Sequence, residues 1–311
     1  MRYVTYSVGE GLCNRLRIHL IAHAYALHAK AKLVLDWPTV QAFGARYTDL
    51  FSLTDGMVSG NSAYGQLVLR LLRPRKIRFN GRQGPDFVNV ADLPVPGYGL
   101  VDFGEIFMPF ANENGGRVLG IYKESVLAAL QPLPTIVENV NQLKQRLRGP
   151  TVGVHIRRGD FHISFPDKLV PIDFYQQALR EITNREPTVG FYISSDDHAF
   201  VAPLIEEFAA IVYPKAPRRS ERDSWSVFGY DNRCNRDTVQ GAREAVTDLF
   251  MLKGADALLG APGSSFSEMA AIIEGSVLVL PRDKTKSEAR RCAQQILEAI
   301  DGAQNNRVLF C

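Results

Sequence analysis

Residues 151–160 read TVGVHIRRGD. The stretch from Thr151 to Ile156 is short, apolar and β-branched, and it is closed by two arginines, a glycine and an aspartate. Such a run, bounded by turn-forming residues, predicts a strand buried on both faces. Outward from it, helix-type and strand-type patterns alternate. Toward the C-terminus they predict a helix over 172–186, a strand over 188–194, a helix over 197–209 and a short strand over 211–214. A polar loop follows from Lys215 to Asp237. After it come a helix over 238–254, a strand over 257–260, a helix over 267–274, a strand over 277–280 and a helix over 286–300. Toward the N-terminus, a strand over 2–8 meets the turn Gly9-Glu10-Gly11. A helix over 14–31 places Leu16, Leu20, Ala24 and Leu27 on one face, and a strand over 32–36 follows. This alternation predicts an α/β fold of parallel sheets covered by helices. Residues 145–150 mark the expected boundary between a domain at 1–148 and one at 149–311. Residues 55–148 are too broken by Gly and Pro for a topology to be assigned.

Composition narrows the classes of function. The chain has 311 residues, 46% hydrophobic and 22% charged, which is ordinary for a globular protein of about two domains. With 36 basic and 33 acidic residues the net charge is +3, too small to make nucleic acid the expected partner. No apolar stretch reaches the roughly 18 residues of a membrane span. The first eleven residues lack the regions of a signal peptide. Cys13, Cys234, Cys292 and Cys311 form no CxxC pair, and they are expected to be reduced thiols of a cytoplasmic protein. Arg70, Arg73, Arg75, Lys76, Arg78 and Arg82 make a basic run, expected as a solvated face or as peripheral contact with anionic membrane or a lipid-linked acceptor.

In parallel sheets, ligands gather at the carboxyl ends of the strands. Those ends carry GEGLCNR after the first strand, RRGDFH after 151–156, SDD after 188–194 and APGSS after 257–260. Arg157 and Arg158 are forked donors suited to a phosphate or diphosphate, with Asp160 able to hold one of them, although a surface ion-pair cluster has the same residues. The glycines at 9 and 11 tempt a dinucleotide reading, but Asn14 stands where a third glycine is needed and Glu10 would face a pyrophosphate. Ser195, Asp196 and Asp197 suit a helix cap. The Ala261–Ser267 segment offers free N–H groups and hydroxyls to an anion, or simple capping. His19 and His23 sit at i,i+4 without the glutamate of a zinc motif, and they are read as structural.

HIRRGDF resembles the HxRRxD motif of the GDP-fucose-dependent fucosyltransferases, whose relatives include the α-1,6 and nodulation-type enzymes, the α-1,2 enzymes and the protein O-fucosyltransferases. GEGLCNRLR, PIDFYQQAL, FYISSDD and DLFMLKGADALLGAPGSSFSEMAA resemble further blocks of the same family in the same order. The resemblance spans most of 151–275 and a short N-terminal piece. It implies a GT-B fold, two Rossmann-like domains facing across a cleft, with the acceptor on the first and the GDP-sugar on the second. It implies an inverting reaction without metal or other cofactor. By the same resemblance Arg157 binds the β-phosphate, Arg158 and Asp160 shape that site, and His155 touches the nucleotide. Asp248 accepts from guanine, Ser264 and Ser265 bind the diphosphate, Gly11 and Asn14 belong to the donor site, and Asp196 and Asp197 support it.

The general base departs from the α-1,6 pattern, because Phe165 stands where a glutamate is expected. Glu10 matches a base used in one branch of the O-fucosyltransferases and is preferred, with Asp167 second and, as the alternative, no side-chain base, a phosphate oxygen of GDP accepting the proton. The leading expectation is transfer of L-fucose from GDP-β-L-fucose to a glycan hydroxyl. The alternatives are another GDP-sugar donor, a non-catalytic sugar-nucleotide or glycan-binding module, and a nucleotide-dependent oxidoreductase.

Overall fold

A computed structural model describes residues 2–7, 11–40, 43–72, 74–77, 82–83, 86–87, 89–93, 95, 99–103, 118–159, 161, 165–214, 238–274, 276–302 and 308–311. The chain forms two compact units, one of residues 1–133 with 236–242 and one of residues 134–235 with 243–311. The division falls at 133/134, ahead of a helix, and not at 148/149.

The first unit opens with β1 (Arg2–Ser7), α1 (Leu12–His28) and β2 (Lys32–Asp36). Then come β3 (Met57–Ser59), α2 (Ala63–Leu71), β4 (Pro74–Ile77), a short antiparallel pair of β5 (Arg82–Gln83) and β6 (Asp86–Phe87), β7 (Gly99–Phe103) and α3 (Lys123–Ala128). Its main sheet has the order β3-β2-β1-β7-β4, parallel throughout. In the basic run, Arg70 is exposed at the end of α2, and Arg75 and Lys76 lie on β4 at the sheet edge.

Helix α1 differs from the expected single stripe. It is buried on almost every side from Leu12 to Ala26, whereas Leu27, placed on the apolar face by sequence, is 39% exposed. Burial from all sides has to accommodate polar side chains. His19 shares a hydrogen bond of 2.9 Å between its Nδ1 and the Tyr6 hydroxyl, and His23 lies one turn further along. Tyr47 packs on His19 with ring centroids 5.0 Å apart, and Trp37 meets Tyr47 edge-on at 5.4 Å. The Arg15 guanidinium lies 5.5 Å from the Trp37 ring and donates to the Pro38 carbonyl at 2.8 Å. Burial lowers the pKa of both imidazoles, that of His23 to about 4, and His23 adds to the effect on His19. Both are neutral packing groups near pH 7, the structural role expected from the absence of a zinc-motif glutamate.

The second unit begins with α4 (Pro134–Lys144), β8 (Thr151–Ile156), α5 (Ile172–Arg185), β9 (Gly190–Ser195) and α6 (His198–Phe208). It continues with α7 (Val239–Lys253), β10 (Ala257–Leu259), α8 (Ser265–Glu274), β11 (Val277–Leu280), α9 (Lys286–Ile300) and β12 (Val308–Phe310). The sheet order is β12-β11-β10-β8-β9, again parallel. Val152, Val154 and Ile156 of β8 are buried in one core with Phe174, Leu179, Cys292 and Ile296 from α5 and α9. Each such side chain contributes about 1.5–3 kcal/mol relative to exposure. The strand expected over 211–214 is reduced to a single bridge between Ile211 and Tyr192.

The expectation of reduced cysteines is overturned for one pair. Cys292 on α9 and Cys311, just after β12, form a disulfide with Cα atoms 5.4 Å apart. β12 pairs with β11 and α9 packs on the same core, which brings the two backbones within bridging distance, a proximity that 19 residues of separation conceal. Cys13 is buried on α1, and Cys234 lies outside the described residues. No helix among the described residues is long and apolar enough to cross a membrane.

Candidate active site

Three of the singled-out segments leave the same end of three neighbouring strands. β9, β8 and β10 are adjacent and parallel, and their carboxyl ends carry Asp196-Asp197, Arg157-Arg158-Gly159 and Ala261–Ser264. Strand order reverses between β8 and β10, the position where ligands collect in such sheets.

Register decides which charges meet. Ile156 pairs with Ser195, so the next residues, Arg157 and Asp196, leave the sheet side by side. Arg157 Nη1 makes an ion pair with Asp196 Oδ2, and Asp196 Oδ1 accepts from the Arg158 backbone N–H at 2.8 Å. The Arg157 and Asp196 side chains are 16% and 7% exposed, so the guanidinium is held in a partly desolvated setting where its charge acts more strongly. A Cβ on Gly159 would come within 2.5 Å of Asp196 Oδ2, so glycine is what lets the carboxylate approach. Arg158 turns toward α6, where it lies 4.0 Å over the Phe200 ring with its Nε 3.9 Å from Asp197 Oδ2. Asp197 caps α6 by accepting from Phe200 N–H at 3.1 Å. Among the described residues, Asp196 is a carboxylate on Arg157. Asp160, expected to hold one of the arginines, lies outside the described residues.

His155 ends β8 on the other side. It is 6% exposed, and its Nδ1 is 2.7 Å from Ser267 Oγ, which also accepts from Ala261 N–H at 3.1 Å. Its ring packs on Phe266 at 5.0 Å. Ser264 is buried and accepts from Phe266 N–H at 3.3 Å, and Ser265 opens α8. Asp248, on α7, is buried with both oxygens engaged: Oδ1 accepts from Tyr192 OH at 2.5 Å and Oδ2 from Ser194 Oγ at 2.9 Å. Burial first, and then the Asp248 charge, hold the Tyr192 pKa far above its usual value, so that hydroxyl remains a donor.

The segment after the arginines folds back on the same loop. The Phe161 ring lies 5.5 Å from the Arg157 guanidinium carbon and meets Phe165 edge-on at 5.3 Å. Phe165 is 42% exposed. Asp167 is exposed in the turn Pro166–Lys168, and its backbone carbonyl accepts from Lys284 Nζ. Glu10 lies outside the described residues. Gly11 caps α1 and Asn14 sits in its first turn, both in the first unit. Among the described residues no group of three or more His, Cys, Asp or Glu is placed to hold a metal ion.

Sequence reasoning did not single out Phe161 or Tyr192, which contact Arg157 and Asp248, nor the pairing of Ser194 with Asp248 and of Ser267 with His155. Tyr192 and Ser194 carried a usable signal, since residues two apart on a strand share a face. The pairing of Ser267 with His155 carried none, because the two come from different elements.

Fold and site together define an α/β protein with a pair of arginines at the reversal point of a parallel sheet, in an architecture seen in solved fucosyltransferases. The NodZ α-1,6-fucosyltransferase soaked with GDP-fucose aligns over 88% of this chain and 92% of its own, at 13% identity and a TM-score of 0.57. Fucosyltransferase NodZ from Bradyrhizobium gives 16% identity, the same 88% of this chain, 93% of its own and a TM-score of 0.56. A variant of Arabidopsis thaliana FUT1 in complex with GDP gives 14%, 91%, 71% and 0.52. At such identities the likeness is one of fold. No protein-family model matches the chain, and no curated protein sequence matches it either.

Proposed function

We propose that this chain is an inverting, metal-independent glycosyltransferase that moves L-fucose from GDP-β-L-fucose to a hydroxyl of a glycan acceptor, giving an α-fucoside. The observation that supports this most is the Arg157 guanidinium, pinned by Asp196 where three loops of a fucosyltransferase-like fold meet.

In this reading the acceptor oxygen attacks C1 of fucose from the face opposite the phosphate. The bond from C1 to the β-phosphate oxygen breaks, and GDP leaves with the electron pair. The sugar passes through an oxocarbenium-like state, as in glycoside hydrolysis. Negative charge grows on the diphosphate, and Arg157 offsets it together with the N–H groups at the start of α8 and the hydroxyls of Ser264 and Ser265. His155 contacts the nucleotide, while Arg158 and Asp160 shape the site. The acceptor proton passes to a carboxylate, Glu10 in the first instance and Asp167 in the second. Asp248 reads the guanine edge, a role that requires guanine N1–H and N2–H to join or replace the Tyr192 and Ser194 hydroxyls as donors.

Calorimetric titration with GDP in EDTA tests the reading, with ADP, GDP-fucose, GDP-mannose and NADH as comparisons. GDP is expected to bind, and ADP much more weakly. Arg157→Ala is expected to stay folded and lose nearly all transfer. Failure of the wild-type protein to bind GDP would overturn the proposal. GDP-fucose binding without turnover over a broad glycan panel would replace it with a binding module.

A further inference from the structure

We propose that Lys168 is a further donor-site residue, whose ammonium supplies the diphosphate with the positive charge that the two arginines do not. The inference rests on the reading of the site given above and begins from its charges. Arg157 is matched by Asp196 and Arg158 by Asp197, so these four groups sum to zero. A departing GDP brings at least two negative charges to that place. Lys168 makes no ion pair with a carboxylate among the described residues, and its nearest aromatic neighbour is Phe165, with Nζ 4.3 Å from the ring.

Its position is specific. A Cβ on Gly263 would lie 3.0 Å from Lys168 Nζ, so the ammonium rests against the backbone immediately before Ser264 and Ser265. Gly263 has φ +72°, a left-handed turn that already favours glycine, and the lysine occupies the space that a side chain there would need. The turn that presents Lys168 is itself braced. Lys284 Nζ donates to the Asp167 carbonyl, and Glu288 holds that lysine's loop by accepting from the Arg282 and Lys284 backbone N–H groups. The Phe165 ring under the ammonium limits its hydration and favours a cation by its π face. An anion seated on Ser264 and Ser265 therefore lies beside Lys168. Phe165, which leaves the α-1,6 base position without a carboxylate, here serves as the support for a cation.

The test compares GDP with guanosine, which carries the base and ribose without phosphate. Lys168→Gln is expected to weaken GDP binding about tenfold and leave guanosine binding unchanged. Lys168→Arg should restore most of the loss. Arg291→Gln, which removes one exposed positive charge from α9, is the matched control and should bind GDP like the wild type. Partial unfolding of a variant would raise the apparent dissociation constants of GDP and guanosine by the same factor, so a loss confined to GDP reports the diphosphate contact. GDP binding by Lys168→Gln within about twofold of the wild type would overturn the role of Lys168 and leave the site reading intact. Absence of GDP binding in the wild type would overturn both, and it is seen before any variant is made.

Discussion

Asp196 does two jobs with one carboxylate: it orients the Arg157 guanidinium and ties down the Arg158 backbone. Its placement depends on the missing side chain at Gly159. Gly159→Ala removes no polar group, yet its new methyl must push Asp196 away from Arg157. Displacing a charge-stabilising group by about 1 Å costs on the order of 100-fold in rate. We therefore expect kcat for fucosyl transfer to fall roughly that far in Gly159→Ala, with the protein still folded by circular dichroism. An unchanged kcat would show that the Arg157–Asp196 contact does not position the leaving group. His155, Arg157 and Arg158 were legible in the sequence because they are contiguous at the end of one apolar run. The partner of Arg157 was not, because pairing across β8 and β9 depends on register, and a single sequence does not display register. The engagement of Asp248 by Tyr192 and Ser194 was hidden for a related reason, since it joins a strand to a helix more than fifty residues later.

At the scale of elements, the strands and helices from β8 to α9 followed from periodicity, whereas α4 fell in the stretch left unassigned. β8, β11 and α9 have the bounds that were expected, and most other ends moved by one or two residues. β12 escaped notice because three half-buried or exposed residues leave no pattern to read. What holds that strand includes a covalent bond. Closing a loop of about 20 residues stabilises by about 3 kcal/mol in the chain-entropy account. Cys311→Ser should lower the unfolding free energy of the protein by about that amount in urea, and a reducing agent should do the same to the wild type but not to the variant. Equal stability with and without reductant would argue that β12 and its neighbours hold without the bridge. Helix α1 is the converse case: its existence was plain from sequence, but burial on nearly every side was not, since His19, His23 and Arg15 read as polar breaks in a stripe.

For the whole molecule, those histidines set a pH dependence of stability. An unfolded histidine takes up its proton below about pH 6.5, whereas folded His23 does so only near pH 4. Between these values the unfolded chain binds more protons, so stability falls as pH falls, by about 1.4 kcal/mol per unit for each such residue. His19 is shifted in the same direction. Urea denaturation at pH 7 and pH 5 should show the loss, and His23→Gln should flatten the slope whatever it does to the absolute stability. An identical slope in the variant would remove His23 from the account. The aromatic packing around those histidines has one more consequence, an optical one. The chain has two tryptophans, Trp37 and Trp225, and Trp37 is 2% exposed against Tyr47 and the Arg15 guanidinium. Replacing Trp225 by Phe leaves a single indole, shielded from water inside the first unit. Its emission under selective excitation then becomes a native fluorophore for that unit alone, able to report without any added dye whether the two halves of the chain melt together or one after the other.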